Sequence, residues 1–457
     1  MTSPALPRAR SEVARRFARP KLWLALLCLA LPSCAPAERP NILLVSLDTL
    51  RADSLGSHGY PRDTTPFLDE LAAEGLRFDK AFVVTLATTP SHVSILSSQY
   101  QESHGVLLAS RKEEGAEAAI ISPTTTLLPE VMAEAGYLTL AVTDGGRFRE
   151  RFGFGRGFAE FDGSRARGIV RGAERLLAML DRHGEAEAPL FVLYHTYEIH
   201  APYDPPPPYD SLFGEGPESD FVPSAARLRE VIDTAGRDLT PADLERIRLF
   251  YDRGIRFTDD GLRRLFEGLA ERGFFDRDHL VVVTSDHGEE FGERGGVLHR
   301  GLLYEEFLHV PLILKGSRVP VGEVRSDLVS SLDIAPTILA YAGLDVPDAM
   351  QGVDLLGRPP LPAERQRIIA QYRNTRYALR TPGWKYIASG RPELYHLTAD
   401  PGERENLAAR HPERVDEFQS YLDRWREAQA ERRPSEARTE ELTAEELEEM
   451  RALGYVN

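Results

Sequence analysis

Asn41-Ile-Leu-Leu-Val-Ser-Leu47, preceded by Pro40 and closed by Asp48, is the stretch on which the fold turns. It carries no charge and shows no apolar/polar alternation. It is also too short for a buried helix. It therefore reads as a strand covered on both faces, the condition of a parallel sheet. Similar runs recur at 138–142, 190–194, 280–285 and 310–314. Helical patterns lie between them at 66–74, 91–98, 127–135, 169–182 and 241–272. Strands alternating with helices predict an α/β fold with a mostly parallel central sheet and helices on both faces. The Pro-rich stretches 201–209 and 212–223 read as loops over the sheet edge. No internal repeat interrupts the pattern.

The character changes near residue 345. Short, turn-separated runs at 368–371, 377–379, 384–388 and 394–397 predict a small antiparallel sheet, and 412–429 a helix behind it. A polar link over 431–440 leads to Thr443-Ala-Glu-Glu446, a capping box that opens a last short helix whose Leu447, Met450 and Leu453 are expected to dock on the body. The expected domains are therefore a catalytic α/β domain over 39–345, a C-terminal α+β subdomain over 346–430, and a linker with a terminal helix over 431–457.

Upstream, Arg8, Arg10, Arg15, Arg16, Arg19 and Lys21 precede the apolar run 22–31. This is the layout of a secretory signal, and the run is too short to span a bilayer. It ends in Leu31-Pro32-Ser33-Cys34, which resembles the lipobox of bacterial lipoproteins. Residues 1–33 are thus expected to be removed and Cys34 to be lipidated. That would place an exported protein on the membrane of a bacterial cell envelope; plain cleavage near Ala37 is the alternative. Cys28 and Cys34 are the only cysteines, so the processed domain folds without disulfides and has no cysteine for active-site chemistry. The net charge is -16, and the first 33 residues contribute a net +5, leaving -21 on the processed chain. Such a surface does not seek nucleic acid. A small anionic ester, or a glycan or lipid head group, would need a locally positive pocket, which points to a metal ion and a few placed bases.

Open α/β sheets bind ligands beyond the carboxyl ends of their strands. Those ends carry Asp48, Asp144, His195 to His200, and Asp286-His287. Acids and histidines converging on one edge make a metal-centred site. Thr85-Leu-Ala-Thr88-Thr-Pro90-Ser-His92 places Thr88 just before a helix that Pro90 is suited to begin. A hydroxyl there, near unpaired N–H groups and activated by a metal, could attack phosphorus or sulfur. The plain alternative is that Thr88 or Thr89 caps the helix.

Seven segments, in order from about residue 39 to about 407, resemble the sulfatase family of the alkaline phosphatase superfamily. Arg39-Pro-Asn through Asp48 to Asp53 is similar to the opening strand and first metal-ligand segment. Thr88-Thr-Pro-Ser-His92 stands where the Cys-x-Pro-Ser-Arg nucleophile motif falls. His200-Ala-Pro-Tyr203 resembles the active-site His-x-Pro, and Ser285-Asp286-His287-Gly288-Glu289 the second metal-ligand segment. His299-Arg300-Gly301 through Tyr304-Glu305 to Val310-Pro311 resembles the basic substrate-contacting segment. Asp333-Ile-Ala-Pro336-Thr337 and Leu394-Tyr-His through Asp400-Pro-Gly-Glu403 resemble C-terminal signatures. The resemblance implies one divalent metal held by Asp48, Asp286, His287 and the Thr88 oxygen, with Thr88 as nucleophile. It implies that His200, His299 and Arg300 contact the transferred group or protonate the leaving oxygen, and that His92 joins His200 and Arg300 in binding substrate.

The chain departs from that pattern in the pocket itself. Thr49 replaces a second Asp, Thr88 the cysteine that becomes formylglycine, and His92 an Arg; the Lys-x-His segment has no counterpart around Val142-Thr-Asp-Gly-Gly146. The expected activity is hydrolysis of sulfuric or phosphoric esters through a covalent Thr88 intermediate. A phosphodiesterase, or a phosphoglycerol- or phosphoethanolamine-type transferase, is the alternative; an inactive lipoprotein that binds an anionic glycan is a third reading. A mixed oxygen and nitrogen shell suits manganese or zinc, whereas the resemblance implies calcium; magnesium also falls within the range.

Overall fold

In the computed structural model the first strand, β1 (Asn41–Leu47), is buried along its whole length, as expected. The structure describes residues 39–106, 117–164, 168–184, 187–234, 238–357, 366–434 and 438–452. The expected signal segment and Cys34 lie outside the described residues. The strands that join β1 in the central sheet are β2 (Leu76–Phe78), β3 (Leu138–Val142), β4 (Glu160–Asp162), β5 (Leu190–Thr196), β6 (His279–Thr284), β7 (Leu312–Gly316) and β8 (Glu323–Arg325). Their order is β8-β2-β7-β6-β1-β5-β3-β4. Strands β6, β1, β5, β3 and β4 are mutually parallel, whereas β7 runs antiparallel to both β6 and β2. The sheet is therefore mostly parallel with a mixed edge.

Alternation along β1 divides two cores, because successive side chains leave a strand on opposite faces. Ile42 and Leu44 pack with helices α2 (Thr88–Ser97), α3 (Leu128–Glu134) and α6 (Ile334–Tyr341). Leu43, Val45 and Leu47 pack with α1 (Pro66–Ala73), α4 (Ile169–His183) and α5 (Pro241–Glu271). Each such side chain contributes about 1.5–3 kcal/mol on burial, so both faces must stay covered. Among the described residues no helix is long and apolar enough to cross a membrane.

The C-terminal sheet is a meander of β9 (Ile368–Tyr372), β10 (Arg376–Arg380), β11 (Trp384–Ala388) and β12 (Glu393–His396). One face, with Ile368, Ala370, Ala378 and Ile387, packs on Phe82, Leu86 and Phe307 of the body. The other, with Ile369, Leu379, Tyr386 and Leu394, packs on Phe418 and Leu422 of α7 (Pro412–Ala430). Between sheet and body lies a buried ion network. Lys385 Nζ, on a fully buried residue, meets Glu403 Oε1 at 2.8 Å and Glu305 Oε1 at 3.1 Å. Arg380 Nη2 meets Glu305 Oε2 at 3.0 Å.

The link over 431–440 is not wholly a link. Arg438–Glu441 pairs antiparallel with Glu117–Ile120. Its Arg-Thr-Glu-Glu sequence gives no apolar signal, because the pairing rests on backbone hydrogen bonds. The capping box beyond it forms as expected, with Thr443 N–H donating to Glu446 Oε2 at 2.8 Å and Glu446 N–H to Thr443 Oγ1 at 3.2 Å. Leu447 packs on the body.

Candidate active site

Parallel neighbours put their carboxyl ends flush. Ser46 of β1 stands in register with His195 of β5 and Thr284 of β6, so Asp48 and Asp286-His287 emerge side by side. Each of the three residues has one polar atom committed and one left over. Asp286 Oδ1 accepts from the N–H groups of Thr49 (3.2 Å) and His287 (3.0 Å). His287 Nδ1 donates to the Gly288 carbonyl at 2.9 Å, which fixes the tautomer and leaves the Nε2 lone pair outward. Asp48 Oδ2 accepts from Thr88 Oγ1 at 3.3 Å and lies 3.4 Å from His195 Nε2. Asp48 Oδ1, Asp286 Oδ2 and His287 Nε2 are buried with no hydrogen-bond partner. Ligand atoms of these three residues lie within 4.8 Å of one another. Buried polar atoms without partners are costly, so a converging set of two carboxylate oxygens and an imidazole nitrogen fits a divalent cation.

The electrostatics agree. Burial, reinforced by the charge of Asp286, raises the Asp48 carboxyl well above its usual range. Burial acts on Asp286 in the same direction, but the combined pull of His287, His92 and His195 outweighs it and holds that carboxyl low. Two carboxylates this close compete for one proton, and a cation removes the competition. Gly288 follows because the chain must pass hard against the Glu306 carbonyl, which a Cβ would strike. Thr49 turns its Oγ1 onto the Asp48 carbonyl at 2.7 Å and is no ligand. Its φ of 60° is left-handed, strained for a β-branched residue.

Helix α2 begins three residues earlier than expected. Ala87 is its N-cap and Thr88 its first residue, so neither threonine caps the helix. Thr88 Oγ1 turns to Asp48 and shares a hydrogen bond with the Tyr197 phenol. Thr89 Oγ1 donates to the Arg147 carbonyl at 3.0 Å. Ser91 Oγ donates to the Asp286 carbonyl at 2.7 Å, tying α2 to the metal-ligand loop.

Two expected substrate contacts need correction. His92 is fully buried beneath the site, its Nδ1 donating to the Thr88 carbonyl at 2.7 Å and its Nε2 2.9 Å from Ser46 Oγ. Burial pushes it down to about 3, so it is a neutral strut and not a substitute for the family's Arg. Arg300 spends Nε and Nη2 on Glu290, at 3.0 and 2.7 Å, so its charge is matched by a buried carboxylate and not offered to an anion. Asp144 is likewise structural. It accepts from Thr196 Oγ1 (2.7 Å) and the N–H groups of Tyr197 (3.0 Å) and Gly168 (3.1 Å), and pairs with Arg175.

The expected acid candidates do meet the centre. The His299 ring lies 4.6 Å from that of His287 and 5.1 Å from that of His200. Burial, aided by neighbouring His299, drives His200 well below the usual imidazole range. Burial also lowers His299, but the adjacent Glu289 outweighs it and the net shift is upward. The strand-end reading reached His195 without giving it a role, and it missed Glu289 and Tyr203. His195, pushed down to about 4 by burial, backs Asp48, and Glu289 and Tyr203 support His299. His195 lies on the same face of its strand as Phe191 and Leu193, which is the one signal that could have placed it beside α2.

A buried two-carboxylate, one-imidazole centre with a hydroxyl beside it, at the carboxyl edge of this sheet, defines a metal-dependent hydrolase type of site. The sulfatase family model matches residues 40–344, and the model described as N-sulphoglucosamine sulphohydrolase, C-terminal, matches 292–428. The chain belongs to the sulfatase family, whose enzymes are metal-dependent hydrolases. It is 24% identical to an arylsulfatase of Clostridium perfringens over 84% of this chain and 94% of that one. It is 23% identical to an N-acetylglucosamine-6-O-sulfatase of Bacteroides thetaiotaomicron, over 84% and 86%. A phosphonate monoester hydrolase from Silicibacter pomeroyi superposes with a TM-score of 0.70 at 21% identity, over 88% of this chain and 99% of that one, a likeness of fold.

Proposed function

We propose that this chain hydrolyses sulfuric or phosphoric esters through a covalent intermediate on Thr88. The observation that supports the reading is the convergence of three orphaned ligand atoms beside a hydroxyl 3.3 Å from Asp48 Oδ2. A divalent cation held by Asp48, Asp286 and His287 would acidify that hydroxyl and polarise the ester oxygen. Asp48 and Tyr197 orient Oγ1. As the bond from Oγ1 to phosphorus or sulfur forms, the Oγ1 proton would pass to Asp48 Oδ2, which accepts its hydrogen bond, while the bond to the alcohol oxygen breaks and the alcohol departs with a proton from the histidine pair. Water then attacks the same centre, returning a proton to the histidine pair, and Thr88 leaves with the proton held by Asp48.

The second step favours phosphorus. A formylglycine hydrate expels sulfate by collapsing to an aldehyde, an exit closed to threonine. Release from Thr88 therefore needs direct in-line attack, a route well suited to phosphoryl groups. An acceptor alcohol in place of water would make the same chemistry a transfer. The test is a panel of p-nitrophenyl sulfate, phosphate and phosphodiester with manganese, zinc, calcium or magnesium. We expect turnover on a phosphorus ester that chelation abolishes and one of these ions restores. A protein that binds none of the four ions in equilibrium dialysis would sink the proposal.

The same reading places the protein outside the cytoplasmic membrane, tethered through Cys34. Cys34→Ala should move the protein from the membrane to the soluble fraction. Unchanged sedimentation with membranes would rule the anchor out.

A further inference from the structure

We infer that the C-terminal subdomain carries a second binding site, a cleft between its sheet and α7 that takes an acidic pyranose. The inference stands apart from the esterase reading. The cleft lies on the sheet face turned to α7, and the opposite face is the one that packs on the body. Along most of the α7 face Leu379, Tyr386 and Leu394 meet Phe418 and Leu422 directly. Sheet and helix part beyond the register pair Tyr377 and Ala388, where the turns 373–375 and 389–392 stand. A cavity of about 210 Å³ opens there, closed on the helix side by Gln419, Leu422 and Arg426. It is smaller than the roughly 300–1,000 Å³ of sites for drug-sized ligands, and suits a single ring with its substituents.

Two groups on its wall define the ligand. Arg426 lays its guanidinium 4.6 Å over the Tyr377 ring and hydrogen-bonds that residue's hydroxyl. The nearby carboxylates are engaged elsewhere. Asp423, one turn back, accepts from Gln419 Nε2 at 2.8 Å. Glu102 accepts from the Tyr377 hydroxyl at 3.1 Å and is paired with Arg433. No ion pair among the described residues includes Arg426, on a chain whose net charge is -16. A guanidinium held against a ring without a counter-ion fits an anion. Asn374 Oδ1, on the same wall, is buried with no donor, a deficit of about 1–3 kcal/mol unless a ligand supplies one. A ligand that satisfies both carries a negative charge and a hydroxyl on one compact frame. A sugar acid does; a simple carboxylate lacks the hydroxyl and a neutral sugar the charge. Thr375 and Ser389 add further hydroxyls to the lining. Gln419 adds an amide whose Oε1 accepts from the Tyr386 hydroxyl at 2.8 Å.

The experiment is calorimetric titration of the full chain with D-glucuronate, D-glucose, acetate and a hyaluronan hexasaccharide. Hyaluronan carries uronates but no sulfate or phosphate ester for the metal centre to cleave. Glucuronate should bind at least about 10-fold more tightly than glucose or acetate, the weight of one charge-assisted or buried contact. Binding of the hexasaccharide as well would mark the ligand as a unit of a glycan chain, and binding of glucuronate alone as a free sugar acid; either supports the site. Arg426→Gln, at an exposed position, should lower glucuronate affinity about 10-fold or more, and Asn374→Ala by a smaller factor. Turnover of p-nitrophenyl esters should be unchanged in both variants, and glucuronate binding should survive chelation of the metal. Equal affinity for glucose and glucuronate, no binding of either uronate probe, affinity untouched by Arg426→Gln, or binding lost on chelation would each overturn the inference. Loss of the esterase reading looks different, since an inert metal centre leaves the titration as it is.

Discussion

Thr88→Ala is expected to lower kcat by about 10⁴-fold or more, the scale on which an attacking atom is lost. The fold should hardly notice. Thr88 Oγ1 makes a long hydrogen bond to Asp48 and one with Tyr197, and removing such bonds costs on the order of 1 kcal/mol. Metal content and melting temperature should therefore stay near those of the parent, which separates loss of the nucleophile from loss of the site. Thr88→Ser, which keeps the oxygen, should retain most activity. Quenched turnover mixtures digested for mass spectrometry should show one phosphoryl or sulfuryl group on the peptide containing Thr88. Wild-type turnover by Thr88→Ala, with no such adduct in the parent, would show that water attacks directly.

Lys385→Met should cost about 3–5 kcal/mol of stability, because it strands the buried Glu403 carboxylate without removing it. Glu403 is 1% exposed, and burial already raises its carboxyl to about 7 with the lysine in place. Burial also works against Glu305, but Lys385 and Arg380 outweigh it and bring that carboxyl down to about 2. Deleting Lys385 leaves Glu305 with Arg380 and leaves Glu403 facing it without its close cation, between the body and the C-terminal sheet. Denaturant unfolding monitored by tryptophan fluorescence would measure the loss. The double change Lys385→Met with Glu403→Gln should recover a large part of it, since the desolvated charge goes too. If the single change is harmless, the network is decoration on an interface that Phe82, Phe307 and Ile387 already hold.

What the sequence reveals follows from what is local. The runs at 41–47, 138–142 and 384–388 coincide with strands residue for residue, because a buried strand writes its environment into consecutive side chains. Asp48 and Asp286-His287 were legible because strand ends are where open sheets collect ligands. Other features depend on partners far along the chain. Nothing near His92 announces Ser46 below it, and Arg300 looks available until Glu290 folds back onto it. The start of α2 was misplaced because Pro90 suits a first helical residue. In the structure it is the third, where its missing N–H is still one the helix leaves unpaired. Leu76–Phe78 and Glu323–Arg325 are too short and too polar to stand out from loop.

The hydrogen bond from Thr49 N–H to Asp286 Oδ1 joins residues 237 positions apart. It forms only after β1 and β6 have paired, and both carboxylates reach their places by the same pairing. Contacts of such long sequence separation are slow to gain, since most of the chain must be ordered before they close. A cation held there would therefore be taken up by a finished molecule and not by a growing one. A chain threaded through a membrane unfolded would cross it empty and take its ion from whatever supply the far side offers. Occupancy would then report two things at once, that the sheet is complete and which compartment completed it.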